Sequence, residues 1–300
     1  MGNAIDILVT GGSGQVGAGL RAVDWPTNVV LHAPTRAQLD LTDPASIRRA
    51  FGSRKFDAVI NAGAWTAVDK AEAHAADAFL VNGAAPAVLA DLTRESRIPL
   101  VQISTDYVFN GAKAAPYDET DAVAPLGVYG ASKLAGELAV RTGNSRSVVL
   151  RTAWVVSASG NNFIKTMLQL ARTRPTLQIV DDQQGCPTAA RDIAEVLRTV
   201  TMRLVSDPQA PTGIFHFVNA GATTWAGLAR EVFAHSARLG GPVADVAGIS
   251  TSDYPTAAAR PANSRLSTSK LANAYGLEAR PWRTAVSEIV SDLLTNGTVQ

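Results

Sequence analysis

The chain has little cysteine and little histidine, and this limits the kinds of site it can carry. Cys186 is the only cysteine among 300 residues, so an intrachain disulfide is excluded and a reducing compartment is expected. The four histidines, His32, His74, His216 and His235, are too scattered for a recognisable zinc motif. We therefore predict a cytoplasmic protein.

The chain also lacks an excess of charge and long apolar runs. Its 27 basic and 26 acidic residues leave a net charge of +1, which favours neither nucleic acid nor an anionic membrane as partner. No apolar run approaches the length of a membrane span, and no basic segment precedes the first apolar stretch, so neither a membrane anchor nor a secretory signal is expected. The glycosylation sequon at 296–298 has no meaning in a cytosolic protein.

The first half of the sequence alternates short apolar runs with alanine- and leucine-rich stretches of helical spacing. The apolar runs are 5–10, 28–32, 57–61, 99–104 and 147–152. The stretch from 71 to 96 is long enough for a helix broken or kinked near Gly83 and Pro86. Such alternation predicts an α/β fold of the Rossmann type, a doubly wound parallel sheet with right-handed crossovers.

This regularity fades near residue 155, which suggests a second, smaller unit. We predict a dinucleotide-binding domain at 1–155, completed by parts of 190–220, and a C-terminal α/β substrate-binding region at 156–300. Helices are expected near 190–204, 225–239 and 282–294. The segment 251–266 is long, polar and aperiodic, and a loop of that length is usually functional or mobile.

A glycine pattern, G-x-x-G-x-x-G, follows the first strand at Gly11, Gly14 and Gly17. Glycines at these places permit the turn, let the backbone approach a pyrophosphate and let the helix pack on the strand. The N-terminus of the helix that follows favours phosphate groups. The pattern can also mark a plain turn, but its position between a strand and a helix predicts nucleotide binding.

The end of the second strand lacks the acidic residue that would bind the ribose 2′-hydroxyl of NAD. The segment reads HAPTRAQLD and offers Arg36, which can meet the 2′-phosphate of NADP or can be a plain surface charge. NADPH is therefore the predicted cofactor, with NADH also accepted.

Tyr129 and Lys133 are four residues apart, so they share one face of a helix. A nearby ammonium is expected to lower the pKa of a tyrosine, which can then donate a proton to a carbonyl oxygen while hydride adds to the carbon. Thr105 ends the fourth strand, at the edge where such sheets bind ligands. Tyr-x-x-x-Lys alone is often a surface pair, but the three features in this order are more specific.

The chain resembles the extended short-chain dehydrogenases/reductases and, more closely, the dTDP-4-dehydrorhamnose reductase family. The resemblance covers nearly the whole chain and rests on GGSGQVG, INAGAWTAVDKAE, STDYVFNG, VYGASKLAGE, RTAWVVSASGNNFIKTML, DDQQGCPT, TTWAGLA and RPANSRL. It implies a reductase that converts the C4 keto group of dTDP-4-dehydro-6-deoxy-L-mannose and forms dTDP-L-rhamnose.

The resemblance also implies roles for individual positions. Thr105, Tyr129 and Lys133 would form the catalytic triad, and Asp106 and Trp154 would face the sugar nucleotide. With the glycine pattern and Arg36, the cofactor-contacting positions are Gly11, Gly14, Gln15, Val16, Gly17, Arg36, Asp40, Leu41, Ala64, Trp65, Thr66, Tyr129 and Lys133. Members of the family tend to dimerise, some through a metal held by glutamates; a full set of those ligands is not matched here, so a homodimer without metal is predicted.

Arg260 and Arg265 in RPANSRL have two interpretations. Their guanidinium groups suit the diphosphate of a dTDP-sugar, whereas the proline and asparagine between them favour a structural turn.

Three other functions stay open. A reductase of another dTDP-4-keto-deoxysugar would use the same chemistry. A sugar-nucleotide dehydratase is disfavoured because Tyr107, and not an acidic residue, follows Asp106. The regulatory subunit of methionine adenosyltransferase resembles this family and is a binding module, but the intact Thr105, Tyr129 and Lys133 favour catalysis.

Overall fold

The computed structural model describes residues 4–295, and the sequon at 296–298 lies outside this range. Its central feature is a six-stranded parallel sheet, and the strands are β1 (Ile5–Thr10), β2 (Val29–His32), β3 (Ala58–Asn61), β4 (Leu100–Thr105), β5 (Ser147–Thr152) and β10 (Gly213–His216). They lie in the order β2-β1-β3-β4-β5-β10. This order confirms the predicted doubly wound sheet, in which the order reverses at β1 and β3 and leaves a crevice for a ligand.

Helices cover both faces of the sheet. The helices of this part are α1 (Gln15–Ala22), α2 (Pro44–Gly52), α3 (Val68–Ala73), α4 (Ala75–Phe79), α5 (Ala85–Glu95), α6 (Val128–Gly143) and α8 (Ala190–Ser206). On one face α1 packs against α8, with Leu20, Ile193 and Leu197 fully buried. On the other face α5 packs against α6 and α2, over Leu89 and Val140.

The later part of the chain forms a smaller layer beyond the sheet. Its elements are β6 (Val155–Val156), α7 (Phe163–Leu170), β7 (Thr176–Val180), β8 (Gln184–Gly185), β9 (Thr188–Ala189), β11 (Thr223–Thr224), α9 (Trp225–Arg238), β12 (Asp245–Ile249), α10 (Ser269–Tyr275) and α11 (Trp282–Thr295). Helices α7, α9 and α11 enclose a second core around Leu228 and Trp282. Strand β10 pairs with β5 and α8 packs against α1, and the division of the chain into two domains, with the first completed by parts of 190–220, stays a prediction.

The helical stretch after β3 differs from the prediction. The helix is broken at His74, between α3 and α4, whereas the part near Gly83 and Pro86 stays helical with a change of pitch. A wide π-type turn at Leu80–Ala84 leads directly into α5, and Pro86, which has no N–H to donate, follows this turn where the helical hydrogen-bond pattern changes.

The same stretch bears on the prediction that the chain has no membrane span. Residues 75–95 form one helix of 21 residues that is long and apolar enough, by length and composition, to cross a membrane. No apolar run of that length was predicted from the sequence. The apolar side chains of this helix, such as Leu89, pack in the core beneath α6. A core helix of this kind passes the same test, so the helix is weak evidence for a membrane.

Candidate active site

A cavity of about 1140 Å³ follows the carboxyl edge of the sheet. It is lined by residues from the ends of β1, β3, β4 and β5 and from the start of α6. Of the predicted site residues it brings together Gly11, Gly14, Gln15, Val16, Arg36, Asp40, Leu41, Ala64, Trp65, Thr66, Thr105, Asp106, Tyr129, Lys133 and Trp154. The adjoining carboxyl ends of parallel strands explain why residues so distant in sequence meet here.

The glycine loop forms one end of the cavity. Gly11 has φ +67°, and a Cβ there would lie 2.5 Å from the backbone of Gly63. Gly17 lies below the loop and does not line the cavity; a Cβ at this position would lie 2.3 Å from the Gly11 carbonyl oxygen. Helix α1 begins after Gly14 without a side-chain cap, so its first N–H groups are available to a bound anion.

The segment after β3 forms a side wall that Asn82 holds in place. The Trp65 N–H donates to Asn82 Oδ1 at 2.9 Å, and Asn82 Nδ2 donates to the Trp65 carbonyl oxygen at 3.0 Å. The same Nδ2 also donates to Ser132 Oγ on α6. Asn82 is fully buried, so this segment is fixed to the scaffold before any ligand binds.

Thr105, Tyr129 and Lys133 meet at the centre of the cavity. Thr105 is the last residue of β4, and its hydroxyl lies close enough to the Tyr129 phenol, at the start of α6, to stabilise the ionised form of that phenol. Lys133 follows one turn later, and its ammonium donates to the Ile103 carbonyl oxygen at 2.6 Å. One strand end and one helix face thus present a hydroxyl, a phenol and an ammonium together.

The expected lowering of the tyrosine pKa is wrong for this state of the protein. Enclosure by protein raises the pKa of Tyr129 to about 12, against the opposing effect of the Thr105 hydroxyl. The Lys133 ammonium is bonded to the Ile103 carbonyl, and burial lowers its own pKa to about 8, with Glu137 opposing the shift. The phenol is therefore protonated at neutral pH, as a proton donor has to be.

Trp154 forms the opposite wall and is backed by a second tryptophan. Its indole stacks on that of Trp225 with ring centroids 3.5 Å apart and planes at 9°. Trp154 has φ +49°, a backbone conformation that is costly for a side chain of this size. A Cβ at Gly185 would lie 2.2 Å from the indole, so only glycine fits behind it. Trp225 was not predicted, because it lies 71 residues from its partner.

The end of β2 places Arg36 and Asp40 on the cavity wall. The Arg36 side chain is 82% exposed, and its Nε lies 3.9 Å from Asp40 Oδ1. Hydrogen bonds from Thr42, followed by the charge of Arg36, hold the pKa of Asp40 below its usual value. Asp40 is therefore ionised at neutral pH and attracts the same guanidinium that is predicted to meet a 2′-phosphate.

Arg260 and Arg265 do not line the cavity. Arg260 Nη2 donates to Asp69 Oδ2 at 2.5 Å, an ion pair that joins the segment 251–266 to α3. Arg265 Nε donates to Asn263 Oδ1 at 2.8 Å, and its Nη2 lies within 2.5 Å of the Ala114 carbonyl oxygen. Contact of either guanidinium with a diphosphate stays a prediction, and it would need these bonds to change.

Several cavity residues were missed by the sequence analysis. Tyr107 lines the wall and meets the Tyr129 ring edge-on, with centroids 5.3 Å apart. Gly160 and Asn161 belong to a loop that closes over the glycine loop, where Gln15 Oε1 accepts hydrogen bonds from Ser157 and Asn162. Residues 157–162 are more than 140 positions from Gln15 in the sequence, so only long-range geometry reveals this contact.

The prediction of no metal rests on the lack of a full set of the glutamate ligands that some members of the family use. Among residues 4–295, no three His, Cys, Asp or Glu side chains are grouped in a way that could hold a metal ion. The absence of a metal stays a prediction.

Known proteins of similar sequence and structure identify the family of this chain. A family model described as RmlD substrate binding domain matches residues 5–295. A dTDP-4-dehydrorhamnose reductase from Burkholderia thailandensis is 44% identical over 298 residues, which cover 96% of this chain and 99% of that protein. The crystal structure of a dTDP-4-dehydrorhamnose reductase from Clostridium acetobutylicum has a TM-score of 0.89 at 35% identity, with 97% and 100% of the two chains covered. That of the Bacillus anthracis enzyme in complex with NADP has a TM-score of 0.87 at 29% identity, with 95% and 98% covered. The chain therefore belongs to the dTDP-4-dehydrorhamnose reductase family.

Proposed function

We propose that this chain is an NAD(P)H-dependent reductase of the C4 keto group of dTDP-4-dehydro-6-deoxy-L-mannose and forms dTDP-L-rhamnose. The observation that carries the proposal is the convergence of Thr105, Tyr129 and Lys133 in the cavity that the glycine loop closes. Membership of the reductase family supports the same substrate.

The residues present fit a dinucleotide. The uncapped first turn of α1 offers N–H groups to a pyrophosphate, and the glycines at 11 and 14 leave room for it. A cavity of about 1140 Å³ has space for a cofactor and a sugar nucleotide side by side. When bound, the reduced nicotinamide supplies the hydride that adds to the carbonyl carbon.

The proton comes from the chain itself. Tyr129 is protonated at neutral pH and can donate to the carbonyl oxygen as negative charge develops there. The Thr105 hydroxyl, close to the same phenol, can donate a second hydrogen bond to that oxygen. Lys133 supplies positive charge beneath the site from a position fixed by the Ile103 carbonyl.

NADPH is the proposed cofactor, and NADH is proposed to be accepted. The complex of the related Bacillus anthracis enzyme with NADP supports this choice, as does the position of Arg36 on the cavity wall. Asp40, which is ionised beside Arg36, competes with a 2′-phosphate for that guanidinium, which weakens the preference for NADPH and keeps NADH acceptable. A cytoplasmic location and a homodimer complete the proposal.

Turnover of a panel of dTDP-4-keto-6-deoxy sugars with NADPH and NADH tests this function. The proposed substrate should have the highest kcat/KM. Higher kcat/KM for a different ring configuration would assign the chain to another deoxysugar pathway. Binding of cofactor without turnover of any sugar would identify a binding module.

A further inference from the structure

Asp106 places a buried carboxyl group directly beside the reacting hydroxyls. It follows Thr105 at the end of β4, lines the cavity and is 3% exposed. The Thr105 hydroxyl donates to Asp106 Oδ1 at 3.0 Å. The second oxygen, Oδ2, is buried and makes no direct hydrogen bond within residues 4–295, while the nearby Ser264 hydroxyl stabilises the charge of the carboxylate. An unpaired buried carboxylate oxygen is costly, so its placement here points to a role in the site.

The groups around Asp106 leave its charge uncompensated. Tyr107 and Tyr129 face it, and Cys186 lies close by between β8 and β9; burial raises the pKa of all three, so they are neutral near pH 7. Burial likewise raises the pKa of Asp106 to about 6, while Ser264 and Thr105 stabilise its charged form. No ion pair joins Asp106 to a cation in the described part of the chain.

The cations and anions nearest to this group have other partners. The charge of Arg260 opposes the rise in the pKa of Tyr107, but its guanidinium is paired with Asp69. The charge of Arg265 opposes the rise in the pKa of Cys186, but its guanidinium is bonded to Asn263. Asp106 therefore has only hydroxyl groups and the backbone N–H groups of Asp106 and Tyr107 to stabilise its charge, with no cation, and both protonation states are accessible near neutral pH.

Thr105 has a single proton, and Asp106 competes for it. An ionised carboxylate only accepts hydrogen bonds, so it draws the Thr105 proton toward Oδ1. The lone pairs of Thr105 Oγ1 then face the Tyr107 N–H, at 3.2 Å, and the Tyr129 phenol. A protonated Asp106 can instead donate to Thr105 Oγ1, which leaves the Thr105 proton free for the cavity.

We propose that Asp106 is a positioning residue whose protonation sets the direction of the Thr105 hydrogen bond and thereby controls donation to the reacting carbonyl oxygen. Neutral Asp106 turns the Thr105 proton toward that oxygen, and the carboxylate turns it away. The negative charge of the carboxylate also opposes release of the Tyr129 proton. The inference rests on the proposed reductase function.

Two variants test this role through the pH dependence of kcat/KM, which reports groups of the free enzyme. The kcat/KM of the wild type should fall roughly tenfold or more as pH rises through about 6. It should fall again near pH 8, where Lys133 deprotonates. Asp106→Asn cannot ionise, so the fall in kcat/KM near pH 6 should vanish while the fall near pH 8 remains. Ser264→Ala removes a group that stabilises the carboxylate, so it should move the fall near pH 6 upward by roughly one pH unit.

An unchanged fall near pH 6 in Asp106→Asn, or an equal reduction at every pH, would overturn the inference and leave the reductase function standing. Absence of turnover by the wild type would instead overturn the proposed function and this inference together. Infrared titration of the wild type and Ser264→Ala, following the carboxyl C=O band near pH 6, needs neither activity nor a folded Asp106→Asn. The assignment would be refuted if no carboxyl band titrated near pH 6 in the wild type and at higher pH in Ser264→Ala.

Discussion

The Lys133 ammonium donates a hydrogen bond of 2.6 Å to the carbonyl oxygen of Ile103, two residues before β4 ends at Thr105. This bond ties α6 to the central strand of the site. The lysine is 3% exposed, and its burial lowers the pKa to about 8, although Glu137 one turn later favours the charged form. Its charge is therefore maintained at neutral pH and lost in mildly alkaline solution.

Activity and stability should respond to this group in opposite directions. As pH rises above about 8 the ammonium deprotonates, and kcat/KM should fall. The unfolded chain holds this proton up to about 10.5, so it binds more protons than the folded protein between these values, and the lysine's contribution to the free energy of unfolding rises with pH. Denaturant titrations should show that the free energy of unfolding of the wild type rises relative to that of Lys133→Met as pH increases over this window.

Lys133→Met should also weaken both the rate and cofactor binding. Lys270 provides a matched control, since its ammonium donates to the Ile214 carbonyl oxygen at 2.6 Å but lies outside the cavity. Lys270→Met should keep the pH profile of kcat/KM. Equal profiles for wild type and Lys133→Met would contradict the role of the ammonium.

Tyr129→Phe removes the proposed proton donor and keeps the ring. General acid catalysis typically contributes ~10²–10⁴-fold, so kcat should fall within that range while cofactor affinity stays close to that of the wild type. Tyr275→Phe is the control, because its phenol bonds to the Pro211 carbonyl away from the cavity. Stopped-flow measurement of NADPH oxidation separates the chemical step from product release, and retained activity in Tyr129→Phe would refute the assignment.

The first half of the fold was predictable because its signals are local. Each apolar run of β1 to β5 is bounded by turns, and the predicted strand at 147–152 agrees with β5 at both ends. The two-residue strands β6, β8, β9 and β11 were not predicted, since so short a strand is defined by a distant partner and not by its own periodicity.

The candidate site divides in the same way. Thr105, Tyr129 and Lys133 were identified because a strand end and a four-residue helical spacing place them together. The ion pair of Arg260 with Asp69 was not foreseen, because 191 residues separate the two side chains. Nor does the sequence reveal that burial would raise the pKa of Tyr129 against the expected effect of its lysine.

Gly185→Ala should damage the sugar side of the site. A Cβ there would lie 2.2 Å from the Trp154 indole, which is held against Trp225 and has no room to retreat. Overpacking of this kind typically costs ~1–3 kcal/mol of stability, and displacement of Trp154 should raise KM for the sugar nucleotide more than Kd for NADPH. Gly52→Ala is the control, since nothing lies within 4 Å of its Cβ. A larger loss of NADPH affinity than of sugar affinity would show that Trp154 is not a sugar wall.

Arg36→Ala tests the choice between cofactors. A charge-assisted hydrogen bond from Arg36 to the 2′-phosphate contributes roughly 1.5–3 kcal/mol when shielded from water. The side chain is 82% exposed and lies 3.9 Å from the competing carboxylate of Asp40, so the preference for NADPH should shrink to a few-fold and weaken with salt. The substitution should raise KM for NADPH and leave that for NADH unchanged. Arg49→Ala, which removes another exposed arginine that is paired with Asp43 away from the cavity, should affect neither. Equal effects of Arg36→Ala on both cofactors, or a wild-type preference for NADH, would show that Arg36 is only a surface charge.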